Sequence, residues 1–142
     1  MKKGTVCFLT KDDEVLLVLI EYSPNDSKWT GIGGYVDEGE ALENTIIREA
    51  KEETFIEIDR DSLRKVAILT DNDLELNVYL ANKWSGESKA KEPSLKEFRW
   101  FKKDQLPFSE MHKDNDKWLP KVLEGKLILK ENDQYTEVNE LK

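Results

Sequence analysis

Apolar and polar positions alternate along the first part of the chain. Thr5 to Thr10 (TVCFLT) and Glu14 to Glu21 (EVLLVLIE) read as two β-strands around the turn Lys11-Asp12-Asp13. Tyr22 to Thr30 (YSPNDSKWT) reads as a polar loop, and Gly31-Ile32-Gly33-Gly34 as a glycine-rich turn. An amphipathic helix is expected from about Ala41 to Thr54. Val66 to Thr70 and Leu74 to Ala81, joined at Asp71-Asn72-Asp73, resemble a hairpin. Trp84 to Pro93 reads as a loop, Phe98 to Phe101 as a short strand, and Asp114 to Glu124 as a second helix. Leu127 to Lys130 and Tyr135 to Val138 form another hairpin across Glu131-Asn132-Asp133. The chain shows no internal repeat, low-complexity tract or linker. Residues 1–142 are therefore expected to form a single domain, an α/β sandwich of strands with two helices.

Composition narrows the partners. A net charge of −8, without a Lys/Arg cluster able to track a phosphate backbone, argues against long nucleic acid and for small molecules. An anionic substrate is compatible with that charge when a divalent metal supplies the positive charge. No apolar run approaches the roughly 20 residues of a membrane span, and MKKGTVCFLT has no sustained apolar h-region, so a cytoplasmic protein without a membrane is expected. One cysteine, Cys7, fits a reducing compartment and reads as a small buried strand residue rather than a reactive thiol. A monomer and a homodimer are both compatible with the sequence.

Within the first helix the charge pattern breaks the apolar stripe. With Leu42 at zero and about 100° per residue, Ile46 falls at about 40°, Ala50 at about 80°, Glu53 at about 20° and Glu49 at about −20°, with Glu52 beside them at about −80°. Carboxylates on a core-facing edge are costly unless paired or bound to a cation. Glu49, Glu52 and Glu53 stand at i, i+3 and i+4, within about one helical turn of each other. Hard oxygen ligands on one face suit Mg²⁺ or Mn²⁺, with substrate phosphates and waters completing the shell. The preceding glycines let backbone approach such a site, and Arg48 is placed to hold a carboxylate through a bidentate bond. The competing reading is a solvated helix laced with salt bridges, to which Lys51 and Glu43 contribute. That reading leaves Glu49 and Glu53 on the apolar stripe unexplained.

The stretch GYVDEGEALENTIIREAKEETFI, Gly34 to Ile56, resembles the Nudix signature G-x5-E-x7-R-E-U-x-E-E-x-G-U, where U is a bulky aliphatic residue. Gly34, Glu40, Arg48, Glu49, Glu52, Glu53 and Ile56 fall in place, and Ala50 stands at the first U. The position that departs is the late glycine, here Phe55. A left-handed backbone beyond a helix is cheap for glycine and costly for phenylalanine, so the helix is expected to end by a different turn. The resemblance implies a Nudix α/β/α sandwich with a mixed central sheet. It implies a hydrolase of nucleoside diphosphate derivatives that uses Mg²⁺ or Mn²⁺ and water. It implies further that Glu49, Glu52 and Glu53 are metal ligands, joined by the Gly33 carbonyl, that Glu40 supports the loop, and that Arg48 orients a catalytic glutamate. The group activating the water is one of the three glutamates or a carboxylate of a later loop, with Glu97 the candidate and Glu92 its weaker rival.

The likeness extends further. Trp29-Thr30-Gly31-Ile32-Gly33-Gly34 is similar to the W-N-G-F-G-G run of MutT-like enzymes that hydrolyse oxidised purine nucleoside triphosphates. Asp104-Gln105-Leu106-Pro107-Phe108-Ser109-Glu110-Met111 is similar to their D-Q-I-P-F-x-x-M, and His112 to Pro120 to their W-P-D-D-x-x-W-x-P. This implies cleavage of 8-oxo-dGTP and similar nucleotides to the monophosphate and pyrophosphate. The departures fall on positions that read the base: Thr30 replaces the recognition asparagine, His112 the stacking tryptophan and Asn115 the second aspartate, while Asp114 matches the first. An Asp/Asn pair still offers both donor and acceptor to a purine edge. Trp118 is expected as pocket wall or core, and His112 as a stacking or an exposed residue. The alternatives are a Nudix pyrophosphatase for ADP-ribose or a nucleotide sugar, and a catalytically silent nucleotide-sensing module.

Overall fold

Two hairpin strands start the chain: β1 (Lys2–Lys11) and β2 (Glu14–Ser23) pair antiparallel at Leu9↔Leu16 and Lys11↔Glu14. The computed structural model describes residues 1–141. Asp12 turns this hairpin at a φ of 55°, a left-handed conformation that aspartate tolerates better than most residues. β3 (Asp26–Thr30) pairs with β2, so the stretch Tyr22 to Thr30 is in large part a strand rather than a loop. It lies at the sheet edge, where polar residues such as Ser27 and Lys28 are tolerated and the alternation that reveals a strand is blurred.

Helix α1 (Leu42–Glu53) passes directly into β4 (Thr54–Ile58), and β5 (Arg64–Thr70) and β6 (Leu74–Ala81) form the expected hairpin. β7 (Trp84–Ala90) was not expected as a strand; it pairs only with β4 in a two-stranded ribbon and is nearly all exposed, so hydrophobic alternation could not mark it. β8 (Leu95–Lys102) pairs with β2 and runs longer than Phe98 to Phe101. The expected helix from Asp114 to Glu124 is instead a 3₁₀ turn, Asn115–Lys117, followed by α2 (Leu119–Leu123). Asp114 is left-handed at φ 71°, and Pro120 has no N–H to continue a helix from the preceding turn. β9 (Leu127–Glu131) and β10 (Gln134–Val138) close the chain, with Asn132 and Asp133 both at positive φ, as a primed hairpin turn requires.

The central sheet has the order β10-β9-β5-β6-β1-β2-β3, with β8 also paired to β2. It is mixed: β1–β6 and β5–β9 run parallel, the other pairs antiparallel. Strand alternation divides the apolar residues between its faces. Val6, Phe8, Val15, Leu17 and Val78 pack with Trp118, Leu119 and Val122 from the α2 end. Cys7, Leu9, Leu16, Val18 and Tyr79 pack with Ile46 and Ala50 of α1. Helices on opposite faces of a mixed sheet make the α/β/α sandwich that the resemblance implied. Cys7 is fully buried, as its sequence context suggested. Among the described residues, no helix is long and apolar enough to cross a membrane.

Candidate active site

The glycine-rich segment lies along β1 where β2 diverges from it. Cys7 N–H donates to the Ile32 carbonyl (2.7 Å), Ile32 N–H to the Cys7 carbonyl (2.9 Å), and Thr5 N–H to the Gly34 carbonyl (2.9 Å). The approach is too close for side chains: a Cβ on Gly33 would lie 2.0 Å from the Thr5 carbonyl oxygen, and one on Gly31 2.5 Å from that of Cys7. Gly34 leaves its space to the helix instead, because a Cβ there would sit 2.5 Å from the Glu49 carboxyl carbon. The carbonyls of Ile32 and Gly34 bond to β1, while that of Gly33 takes no part in this ladder.

Arg48 ties the loop to the helix. Its Nε and Nη2 donate to the two oxygens of Glu40 at 2.7 and 3.0 Å, a bidentate pair, and its Nη1 donates to Glu49 at 2.9 Å and to Glu52 at 3.3 Å. Nη2 also reaches the Tyr35 carbonyl at 3.3 Å. Glu40 accepts further from Thr45 Oγ1 (2.7 Å) and the Asp37 N–H (3.1 Å). Arg48, then Thr45, hold the Glu40 carboxyl down at about 2, and Glu40 in turn pushes the Arg48 guanidinium up. One guanidinium thus joins the loop residue Glu40 to the helix residues Glu49 and Glu52.

The three helix carboxylates differ in exposure as the wheel anticipates. Glu53 is buried at 9%, and the side chains of Glu49 and Glu52 are 16% and 53% exposed. Burial, followed by the hydrogen bond and charge of Glu49, raises Glu53 to about 9. At neutral pH the Glu53 carboxyl therefore carries a proton. Among the described residues no three His, Cys, Asp or Glu side chains are already gathered around a common point. Glu52 is turned toward Arg48, and Glu49 and Glu53 face one another. The donor set fits a hard divalent cation: two carboxyls crowded together in a largely dry place, a third beside them on Arg48, and, among the described residues, no lysine or arginine bonded to Glu53.

Beyond the helix, the late-loop acids separate. Glu97 is bonded to Arg99 on its own strand at 2.6 and 2.8 Å, and Arg99 lies 5.1 Å above the Trp29 ring. The acid whose charge reaches Glu53 is Glu92. Its loop is anchored by Lys91, whose N–H donates to the Glu53 carbonyl (2.8 Å) and whose Nζ donates to the Lys51 carbonyl (2.9 Å) at the end of α1. Phe55, in the place of the signature glycine, lies in β4, 48% exposed under the Lys91 ammonium at 4.6 Å. No left-handed residue is needed, because Thr54 is already extended (φ −140°) and its Oγ1 donates to the Ala50 carbonyl and accepts from the Ile56 N–H.

The expected base-reading residues lie elsewhere on the sandwich. Thr30 ends β3 and is buried; Asn115 is buried at 8% in the 3₁₀ turn; Asp114 precedes it and pairs with Lys117 at 3.2 Å. Trp118 is only 3% exposed and tilts against Phe8 at 6.1 Å, which makes it core rather than an open stacking surface. His112 is exposed, and its Nε2 lies 2.9 Å from the hydroxyl of Tyr22. Local desolvation and then Lys28 push the His112 imidazole below its usual range. Tyr22, at the end of β2, had no role in the sequence reading; an aromatic inside a polar stretch was its one signal.

Comparison with known proteins places these features in a wider set. The NUDIX domain family model matches residues 2–122. An oxidized purine nucleoside triphosphate hydrolase of Danio rerio is 29% identical over 131 residues, covering 88% of this chain and 81% of that protein. A NAD-capped RNA hydrolase, NudC, of Vibrio vulnificus is 34% identical over 79 residues, covering 56% of this chain and 30% of that protein. The crystal structure of a MutT NUDIX hydrolase from Burkholderia pseudomallei superposes with a TM-score of 0.72 at 27% identity, covering 84% of this chain and 95% of that one.

Proposed function

The chain belongs to the NUDIX family of pyrophosphate-bond hydrolases, and from that premise we propose that it is a purine nucleoside triphosphate diphosphatase, with oxidised purines such as 8-oxo-dGTP preferred. Its products are then the nucleoside monophosphate and pyrophosphate. The observation that carries this reading is the likeness to an oxidized purine nucleoside triphosphate hydrolase across 88% of the chain, a span that includes both the glutamate helix and the His112–Asn115 segment. The whole chain is read as one such domain.

Glu49, Glu52 and Glu53 would hold Mg²⁺ or Mn²⁺, with the Gly33 carbonyl beside them. The chemistry such an ion supplies when bound is neutralisation of phosphate charge and acidification of an attacking water. Arg48 keeps Glu49 and Glu52 on one side of the helix while Glu40 fixes the guanidinium. A bound cation would favour the ionised form of the Glu53 carboxyl, which burial and Glu49 otherwise hold well above the ordinary carboxylate range. Glu92 adds negative charge from the facing loop and is the nearer candidate for the late-loop acid. Asp114 and Asn115 supply hydrogen-bonding groups for a purine edge, and His112 an aromatic face.

The test is product analysis over a panel of normal and oxidised nucleotides with Mg²⁺. The reading expects pyrophosphate release and a higher kcat/KM for 8-oxo-dGTP than for dGTP; equal values would remove the preference for oxidised bases. A second reading, favoured by the partial match to NudC, is cleavage of a nucleotide linked through a diphosphate to another moiety. Release of AMP from ADP-ribose without triphosphate turnover would establish that alternative.

A further inference from the structure

Tyr22 stands beside His112, one of the residues expected to read the base. It is among the few large hydrophobic residues of the chain left open, at 50% exposure. Its ring meets the His112 ring edge to face, with centroids 5.4 Å apart and planes at 68°, and its hydroxyl is bonded to His112 Nε2. This bond joins the end of β2 to the segment before the 3₁₀ turn, ninety positions apart. Burial, followed by the charges of Asp26 and Glu53, pushes the Tyr22 hydroxyl above its ordinary range.

A nucleotide with its purine at Asp114 and Asn115 has its base close to His112, and Tyr22 is the open aromatic ring that adjoins His112. The ring is fixed along one edge by His112 and presents the remainder to solvent. A half-open aromatic ring costs little entropy to order, because its partner already holds it, and it offers a stacking surface to any base. We propose that Tyr22 is a specificity-determining residue: its ring packs on the base or ribose of the bound nucleotide, beside the His112 ring that meets its edge. This rests on the nucleotide-hydrolase reading above but not on triphosphates being the substrate, because ADP-ribose also presents a purine and a ribose.

The experiment compares wild type, Tyr22→Ala and Tyr22→Phe on whichever of dGTP or ADP-ribose the wild type cleaves with Mg²⁺, with inorganic triphosphate as a base-free competitive inhibitor. Loss of one base-stacking ring corresponds to roughly a 5- to 100-fold change in affinity. Tyr22→Ala is expected to raise KM by about tenfold or more, with kcat changed less than about threefold and the inhibition constant of inorganic triphosphate unchanged. Tyr22→Phe, which keeps the ring, is expected to stay within about threefold of wild type in KM. An unaltered KM in Tyr22→Ala would overturn the proposal. So would a parallel rise in the triphosphate inhibition constant, which would mean that Tyr22 supports the phosphate end. The substrate reading fails separately, by turnover of ADP-ribose and not dGTP, and the Tyr22 comparison is then made on ADP-ribose.

Discussion

The proposed phosphate and base ends of the site are built by different means. At the phosphate end, one guanidinium contacts Glu40, Glu49, Glu52 and the Tyr35 carbonyl, and two glycines lie against β1 at distances that exclude a methyl group. At the base end, His112 is held by one hydrogen bond to Tyr22, and Asp114 by one exposed ion pair to Lys117, of a kind generally worth little. The first end is over-determined, so a single change disturbs several partners. The second is held by separate contacts, so its residues can be exchanged one at a time, and this is where the chain departs from the MutT-like pattern.

Substitutions can break or sharpen that contrast. Glu53→Gln should have the largest effect, a loss of kcat of about 10²–10⁴-fold of the order that removal of an acid–base group or ligand produces. The fold should survive it, since Glu53 already carries a proton near neutral pH. Loss of the fold together with activity, seen by circular dichroism, would show that the phosphate end is a structural rather than a chemical lock. The same carboxyl sets a pH dependence in metal-free protein. Its folded value, about 9, lies above the ordinary carboxylate range, so the folded state binds the extra proton between those values. Thermal stability without metal should therefore fall as pH rises from about 5 to 9, and added Mg²⁺ should oppose the fall.

Arg48→Lys should come next. It keeps the charge and loses the fork that grips both Glu40 oxygens, and about a 10- to 100-fold loss in kcat is expected, of the size seen for residues that orient metal ligands. Glu40 should reveal its pairing in acid. Its folded value is depressed, so the stability it contributes is present above the ordinary carboxylate range and is lost as pH falls toward about 2. An acid-unfolding midpoint unchanged by Glu40→Gln would refute that coupling. At the base end, Asn115→Asp should alter the ratio of kcat/KM for 8-oxo-dGTP over dGTP by roughly 10-fold, with the melting temperature little affected. A collapse in stability instead would place Asn115 with the interlocked end. The smallest effect belongs to Phe55→Gly: no change in kcat, and a loss of about 1 kcal/mol or less, because the residue serves in a strand and not in a helix cap.

The glutamate cluster was legible in the sequence because its constraints are local. Glu49, Glu52 and Glu53 fall within one helix, and the wheel ranks their burial in the order the structure has. The glycines announce close backbone approach without saying that β1 is the strand approached. The sandwich and its mixed sheet came with the resemblance, yet β3 and β7 were missed. One is a polar edge strand and the other an exposed ribbon, and neither buries one face in a way that alternation records. The expected helix at Asp114 failed on a backbone torsion and a proline. Tyr22 and His112 meet across ninety positions, and no spacing rule marks such a pair. For the same reason spacing could not separate Glu97, bonded to its neighbour Arg99, from Glu92, which the Lys91 contacts bring toward the cluster.

The end of α1 bears on how such chains are recognised at all. A motif search that insists on glycine at position 55 would discard this protein, although no carboxylate of its helix is displaced. What the backbone needs there is a way to leave the helix, and the Thr54 hydroxyl supplies one by satisfying both the last turn and the first strand residue. The better search criterion is therefore conditional: glycine at that position, or a hydroxyl residue just before it. A chain that satisfies the second clause keeps its glutamate helix and its exit into the following strand without the glycine, as this one does.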